Sequence, residues 1–477
     1  MKGIDFVKNL VKYCIPSLIS AIVGILVIPL ITNSYPSYEY GKINLFYSIA
    51  NTLFLFVVLG LDSAYFRFFY ELPVGYTRQR LFKLSIIVGV VNTFVLFIIC
   101  RYFFQNEVTE YLFGEHKTDL LLGMYIYIIG LIFLKFVGYE LRMKDKAKMY
   151  NLVQIIYILT NRVLFVAFVP ISTSYVYGNW ITAISTFLFG IMFLYWIEKD
   201  HFYLENPKYL FSQGTKEIFK FSIPLMPTTL MVWMNNSVAK FIYSYFGDYT
   251  AIGTFSIATS VANIFSIVPA AFTTYWSPFI YKNYKTNHNL IKKVHDYIVF
   301  SCLLLFLLFF IFQDIIYLFV GGDYKVTKSF FLLVMLNPVQ SLICETTSYG
   351  IMFEKKTKFN LYTSIIAFVA NVVITFISYK AFGEIGAAFG VAMSAIIQLI
   401  LKTLIGQYYY KTVISPFRTI IGISLIIFLS VVNIFIYSEI YMKIGIAFIV
   451  FITGMFLYKN NFNEVKNTVK LIIRNRK

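Results

Sequence analysis

Four basic residues sit inside stretches otherwise apolar enough to be buried in hydrocarbon: Lys135, Arg162, Lys240 and Lys402. A cation near the middle of a bilayer costs about 2.5–3.5 kcal/mol on insertion scales. Lys402 lies close enough to the end of its run to snorkel, and Lys135 is intermediate. Arg162 and Lys240 lie well over a helical turn from the nearest end. They are read either as members of internal ion pairs or as the cationic lining of a wet cavity that meets an anionic ligand. Lys240 belongs to the stretch 218–247, which also holds Pro224, Pro227, Asn235 and Asn236. At helical spacing Thr229, Trp233, Asn236, Lys240 and Tyr243 fall on one face. A helix that only anchors a protein has no use for that stripe, so it is expected to line a cavity. Trp233 and neighbouring tyrosines on such a wall would suit sugar rings, which offer an apolar plate with a polar edge.

The acidic residues near apolar runs are Asp62, Glu140, Glu198, Asp314 and Glu345. Asn337, Ser341 and Glu345 share a helical face beside Pro338. Glu345 is the candidate for a coupling ion, proton or sodium, with a headgroup-level carboxylate as the bland reading. Glu140 is expected to pair locally with Lys135 or Arg142. No catalytic constellation emerges. His116, His201, His288 and His295 are scattered, and Cys14, Cys100, Cys302 and Cys344 form no close pair, so neither a metal site nor a disulfide framework is expected. Walker A and GxGxxG patterns are absent, which argues against nucleotide chemistry. A membrane glycosyltransferase or polymerase would be expected to carry an Asp/Glu pair in a sizeable external loop, and none is seen. The chain is read as a carrier without cofactors, not an enzyme.

These residues need positioning by membrane helices. Of 477 residues, 59% are hydrophobic and only 13% charged, with a mean hydropathy of +0.72. Apolar runs of about 20 residues, the length that spans a bilayer, recur throughout. The pattern predicts an all-α polytopic membrane protein with fourteen spans, near 10–33, 42–62, 82–104, 118–141, 150–170, 177–198, 217–246, 250–277, 295–320, 326–349, 359–380, 384–408, 415–437 and 440–458. Alternate connections then carry 30 Lys and Arg against 7. By the positive-inside rule both termini are cytoplasmic. The same rule accounts for most of the net charge of +18, and no nucleic-acid partner is expected. The loop after the third span, with Glu107, Glu110, Glu115 and Asp119, falls outside. The first apolar run reads as a retained helix, not a cleaved signal.

An internal repeat organises the spans. Ser48-Ile49-Ala50-Asn51 recurs as Ser260-Val261-Ala262-Asn263, with Gly41 matching Gly253 and Asn44 matching Ser256. Upstream, Ile15-Pro16 is echoed by Ile223-Pro224. Asn44, Ser48 and Asn51 form one stripe, and Ser256, Ser260 and Asn263 another. Pro29 and Pro338 add further bends. Six spans separate the repeats, so the halves share one orientation. Residues 1–210 are expected to form one six-helix lobe, 211–412 a second, and 413–477 two additional helices with a basic cytoplasmic tail.

The segments Gly60-Leu61-Asp62-Ser63-Ala64-Tyr65-Phe66-Arg67-Phe68-Phe69-Tyr70-Glu71, Ser222-Ile223-Pro224-Leu225-Met226-Pro227 and Trp276-Ser277-Pro278-Phe279 carry a resemblance. With the rest of the chain they resemble the bacterial polysaccharide-biosynthesis flippases, the Wzx-type transporters of O-antigen or capsular repeat units. That family belongs to a superfamily with the multidrug-and-toxin exporters and the lipid II flippase. The resemblance implies two six-helix lobes around a V-shaped cavity and alternating access. It implies an undecaprenyl-diphosphate-linked oligosaccharide as substrate, membrane lipids around it, other polysaccharide-assembly proteins as candidate partners, and the bacterial cytoplasmic membrane as location. Lipid II flippases carry cavity arginines in their first, second and eighth spans. This chain has none there, and Arg162 and Lys240 are taken in their place. The substrate-contact candidates are Arg162, Lys240, Lys135, Asn236, Trp233, Asn51 and Asn263. The competing readings are an organic-cation antiporter, which needs a deep carboxylate, and a membrane glycosyltransferase or polymerase.

Overall fold

The computed structural model describes residues 19, 22–198, 210, 212–354, 356 and 358–459. Cys14, Pro16 with its part in the repeat, His201 and the basic tail beyond 459 lie outside the described residues. The helices fall into two compact units, Met1–Ser256 and Ile257–Lys477. The first holds α1 (Ile22–Ser34), α2 (Ser37–Val58), α3 (Leu61–Phe68), α4 (Arg78–Phe103), α5 (Gln105–Phe113), α6 (Thr118–Met143), α7 (Ala147–Leu159), α8 (Phe165–Ala167), α9 (Tyr175–Glu198), α10 (Gln213–Ser222), α11 (Met226–Tyr245) and most of α12 (Tyr249–Ala262). The second holds α13 (Ile267–Asn283), α14 (His288–Leu318), α15 (Phe331–Thr347), α16 (Tyr349–Phe353), α17 (Lys358–Tyr409), α18 (Pro416–Ile436) and α19 (Ile440–Leu457).

Eight of the described helices are long and apolar enough to cross a membrane, and a ninth crossing forms if the turn Gly322–Ser329 and α15, bent by 59°, make one broken span. The protein is a multi-pass membrane protein. On α4 Phe94, Val95, Ile98 and Ile99 are exposed. Such a patch is a liability in water and the natural face toward lipid. Against that apolar background the breaks stand out, and several follow from named residues. Pro224 sits in a 3-10 turn, Ile223–Leu225, that separates α10 from α11. The proline ring removes an N–H and forces the local change of winding. Helix α17 is 52 residues long, about 78 Å at 1.5 Å per residue, more than twice the hydrocarbon thickness. It folds back at Gly383, where φ is 57°. A Cβ on Gly386 would lie 1.9 Å from the Ser378 carbonyl oxygen, so the two arms pack as a hairpin. The sequence reading placed two spans here.

The span expected at 42–62 is likewise two helices. It ends α2 at Leu59 with φ 53°, passes Gly60 at φ 73°, and resumes as α3. Gly60 meets two demands at once: left-handed backbone, and an approach so close that a Cβ would lie 2.4 Å from the Ser222 carbonyl oxygen of α10. The span expected at 250–277 is interrupted by tight turns at Asn263–Ser266, where Ser266 N–H bonds the Asn263 carbonyl at 3.0 Å. In the first unit α6 packs along α9 through Gly130, where a Cβ would lie 2.6 Å from the Phe187 backbone. Small residues permit such approach where water supplies no hydrophobic drive. Helices α4, α10 and α18 begin on Thr77, Ser212 and Ser415, whose hydroxyls accept from Arg80, Thr215 and Arg418 N–H.

Candidate functional site

Two of the candidate residues, Lys135 and Asn51, border one tyrosine-lined network in the first unit. Lys135 of α6 places its ammonium 5.0 Å from the centroid of the Tyr157 ring on α7. The Tyr157 carbonyl accepts from Asn161 Nδ2 at 3.0 Å, and Asn161 Oδ1 accepts from the Tyr127 hydroxyl at 2.8 Å. The Asn51 amide lies within hydrogen-bonding range of that hydroxyl and donates to the Tyr47 carbonyl at 2.7 Å. Tyr47 in turn donates to Thr182 of α9 at 2.7 Å. The expected polar stripe of α2 therefore exists, but much of it is turned along the helix. Asn44, Ser48 and Thr52 bond carbonyls four residues back, which satisfies them locally.

Arg162 sits in the one feature of this region that no proline or glycine announces. Residues Thr160–Leu164 form a π-helical turn, a widened turn that recurs at functional sites. The turn leaves Arg162 exposed. Its guanidinium rests against α1, where a Cβ on Gly24 would lie 2.5 Å from Nη1. It is also within electrostatic reach of Tyr40. Glu140 pairs with Lys144 and accepts from the Tyr65 hydroxyl, so it finds a local partner, though a different one from Lys135 or Arg142.

On α11 the predicted face divides. Trp233 is 45% exposed, Asn236 is exposed and Lys240 half-buried. Tyr243 is fully buried, its ring 5.8 Å from Phe255, and belongs to the packing core. No described carboxylate pairs with Lys240.

The second unit holds the other two candidates, apart from each other. Asn263 is exposed at the α12–α13 break, its Oδ1 accepting from Ser266 Oγ at 3.3 Å. Asn51 and Asn263 match in the sequence repeat yet differ in place: one lies within an unbroken helix, the other where a helix stops. Glu345 of α15 is half-buried. Its Oε2 accepts from the Tyr349 hydroxyl at 3.3 Å, its carbonyl accepts from Trp276 Nε1 at 2.9 Å, and Thr273 and Lys402 face its carboxylate.

Sequence reasoning missed three charge clusters. His295 and Asp296 of α14 are both buried. Thr346 donates its hydroxyl proton to the Ile343 carbonyl at 2.7 Å, so it accepts from His295 Nδ1–H at 2.8 Å, leaving Nε2 to accept from Thr419 at 3.0 Å. Asp296 Oδ2 pairs with Arg418 at 3.2 Å. At the far end of α14, Asp314 is held by Lys328 and Lys443. The third cluster surrounds Lys42, which the charge pattern had assigned to a connection; a lysine at the very start of an apolar run gives no sign of being buried.

The comparisons with known proteins agree with this architecture. The family model described as "Polysaccharide biosynthesis protein" matches residues 6–284. The Lsg locus putative protein 1 of Haemophilus influenzae is 22% identical over 351 residues, covering 70% of this chain and 82% of that protein. Among solved structures, the lipid II flippase MurJ in an inward closed conformation superposes with a TM-score of 0.70 at 19% identity, covering 94% of this chain and 99% of that one. The MATE multidrug transporter DinF-BH gives a TM-score of 0.59 at 14% identity, covering 84% and 94%. These likenesses show a shared transporter fold, and the match over more than half its length shows that the chain belongs to the polysaccharide biosynthesis protein family.

Proposed function

We propose that the protein is a flippase that carries undecaprenyl-diphosphate-linked oligosaccharide repeat units across the bacterial cytoplasmic membrane by alternating access. It makes and breaks no covalent bond. The observation that carries the reading is that Lys135, inside the membrane-spanning α6, and Lys240 of α11 have no described carboxylate paired to them. An uncompensated cation in this position is costly, and a diphosphate offsets that cost. At 4 Å each unit-charge pair is worth about 4 kcal/mol at an effective dielectric of 20. Arg162 adds a planar fork suited to phosphate oxygens. Trp233, Asn236, Asn51 and Asn263 are proposed to meet the sugars. Both termini are proposed to be cytoplasmic, with residues 1–210 and 211–412 acting as the two lobes and 413–477 as an appended pair of helices. Glu345 is the proposed coupling group, because it is a half-buried carboxylate facing Lys402.

The test is reconstitution of the full chain in liposomes with labelled lipid-linked oligosaccharide. Loss of one charge-assisted contact is worth about 1.5–3 kcal/mol, so Lys240→Ala and Arg162→Ala should insert and fold yet flip roughly ten- to a hundredfold more slowly. Wild-type rates in both variants would remove these residues from the site. Absence of flipping together with gradient-driven efflux of organic cations would turn the assignment toward the antiporter reading, which the fold shared with MATE transporters favours.

A further inference from the structure

The cluster around Lys42 joins a buried cation, a carboxylate and three tyrosine rings. Lys42 of α2 is fully buried. Its ammonium lies 4.4 Å from the ring centroid of Tyr38, 4.5 Å from Tyr175 and 5.1 Å from Tyr249. Its carboxylate partner is Glu115 of the α5–α6 turn, at 2.8 Å. The residue before it, Gly41, meets α12 so closely that a Cβ would lie 1.8 Å from the Tyr249 carbonyl oxygen, and a Cβ on Gly253 would lie 2.0 Å from that of Ser37. These two glycines hold matching positions in the internal repeat. Corresponding points of the two halves therefore touch, backbone to backbone, beside a buried cation. The seam continues where Ser244 donates to the Tyr111 carbonyl at 2.8 Å and Tyr111 donates to that of Phe241 at 3.2 Å.

The two members of the ion pair are not equivalent. The Glu115 side chain is 39% exposed, and its second oxygen already binds Lys117 at 2.7 Å. Glu115 can leave Lys42 for Lys117 and water. Lys42 has no such exit: the neighbouring carboxylate of Glu39 accepts from Tyr175 N–H at 2.6 Å, and the remaining walls are neutral rings. A buried ion pair adds little net stability, but removing one partner is expensive. When the seam opens, Lys42 requires another anion.

We propose that Lys42 is the latch of the seam between α2 and α12, and that opening exchanges Glu115 for an anionic diphosphate of the transported lipid. This rests on the transport reading above, which places the seam at the outer surface. The cage suits that ligand, since phosphate oxygens accept from both the ammonium and the freed tyrosine hydroxyls. In the closed seam Lys42 holds the outer end shut; in the open one it is the last cation the headgroup touches.

The experiment uses the full chain with its four cysteines replaced by serine. Thr254→Cys is placed on the buried face of α12 and labelled from outside with a membrane-impermeant thiol reagent. Labelling should be slow, and Lys42→Gln or Glu115→Gln should each speed it roughly tenfold, a shift of about one power of ten in the open population. Glu115→Gln alters an exposed turn residue, so it reports even if Lys42→Gln folds poorly. Inorganic pyrophosphate should speed labelling when Lys42 is present and add nothing in Lys42→Gln. Undecaprenyl diphosphate in the vesicle should do so at lower concentration. Unchanged labelling in Glu115→Gln would make the cluster a static knot and overturn the latch. A response to free pyrophosphate but not to the lipid would overturn the lipid assignment. No oligosaccharide is needed, so a lost latch response with intact flipping fails this inference alone, and lost flipping with an intact response fails the transport reading alone.

Discussion

The two units differ in how completely their charges inside the fold are matched. In the second, acids are matched by bases: Asp296 with Arg418 at 3.2 Å, Asp314 with Lys328 and Lys443, and Glu345 facing Lys402. In the first, Lys42 with Glu115 and Glu140 with Lys144 are matched too, but Lys135 lies over the face of a tyrosine and neither it nor Lys240 has a described carboxylate partner. A matched pair satisfies itself inside the fold. An unmatched cation keeps its demand for an anion and can meet it with a ligand. On the proposed function, the unmatched cations of the first unit are the ones left to meet a ligand, while most charges of the second serve the fold.

That contrast is broken most directly by Arg418→Ala. It strands the buried Asp296 carboxylate, and loss of one partner of a buried pair should cost about 3 kcal/mol, read as a clear fall in thermal midpoint. Lys135→Ala should leave the midpoint within about 1 kcal/mol, because the transfer cost of an unmatched cation disappears with it. Equal losses in the two variants would erase the difference between the units. Glu345→Gln is a smaller change. It keeps shape and removes charge, so stability should move by under about 1 kcal/mol. The dependence of flipping on an imposed proton or sodium gradient should vanish; a retained dependence would return Glu345 to the scaffold.

The smallest effect concerns the seam at Glu115. Lys117, and then Lys42, hold its carboxyl down at about 2, below its ordinary 4.5. A depressed acid contributes stability that is complete above the unfolded value and lost as pH falls through the folded one. Spin labels at the exposed positions Asn33 and Tyr245 should keep their distance from pH 7 to about 4.5, then separate as pH falls toward 2. Separation already complete at pH 5 would mean that Glu115 does not hold this end.

Much of this was written locally. Apolar runs marked the helices because hydrocarbon accepts little else, and Pro224 and the Gly383 region punctuated them where expected. Lys135, Arg162 and Lys240 were visible as charges in the wrong surroundings. The π-helical turn under Arg162 was not visible, since Thr160-Asn161-Arg162-Val163-Leu164 contains no helix breaker. Nor was the enclosure of Lys42, whose partners Glu115, Tyr175 and Tyr249 lie 73 or more residues away. Asp296 and Arg418 also lie far apart in the chain, yet they form one ion pair with the carboxylate buried.

By itself the sequence determined that the chain is helical and membrane-embedded, that the Ser48–Asn51 motif recurs at Ser260–Asn263, and which cations lie in apolar stretches. Those properties follow from each residue's own transfer energy and from periodicity along one helix. Only the tertiary structure decided which cations have partners, where helices widen or turn back, and that Gly41 and Gly253 touch. Pairing and closure depend on distances between residues far apart in the chain, and no local propensity encodes those distances.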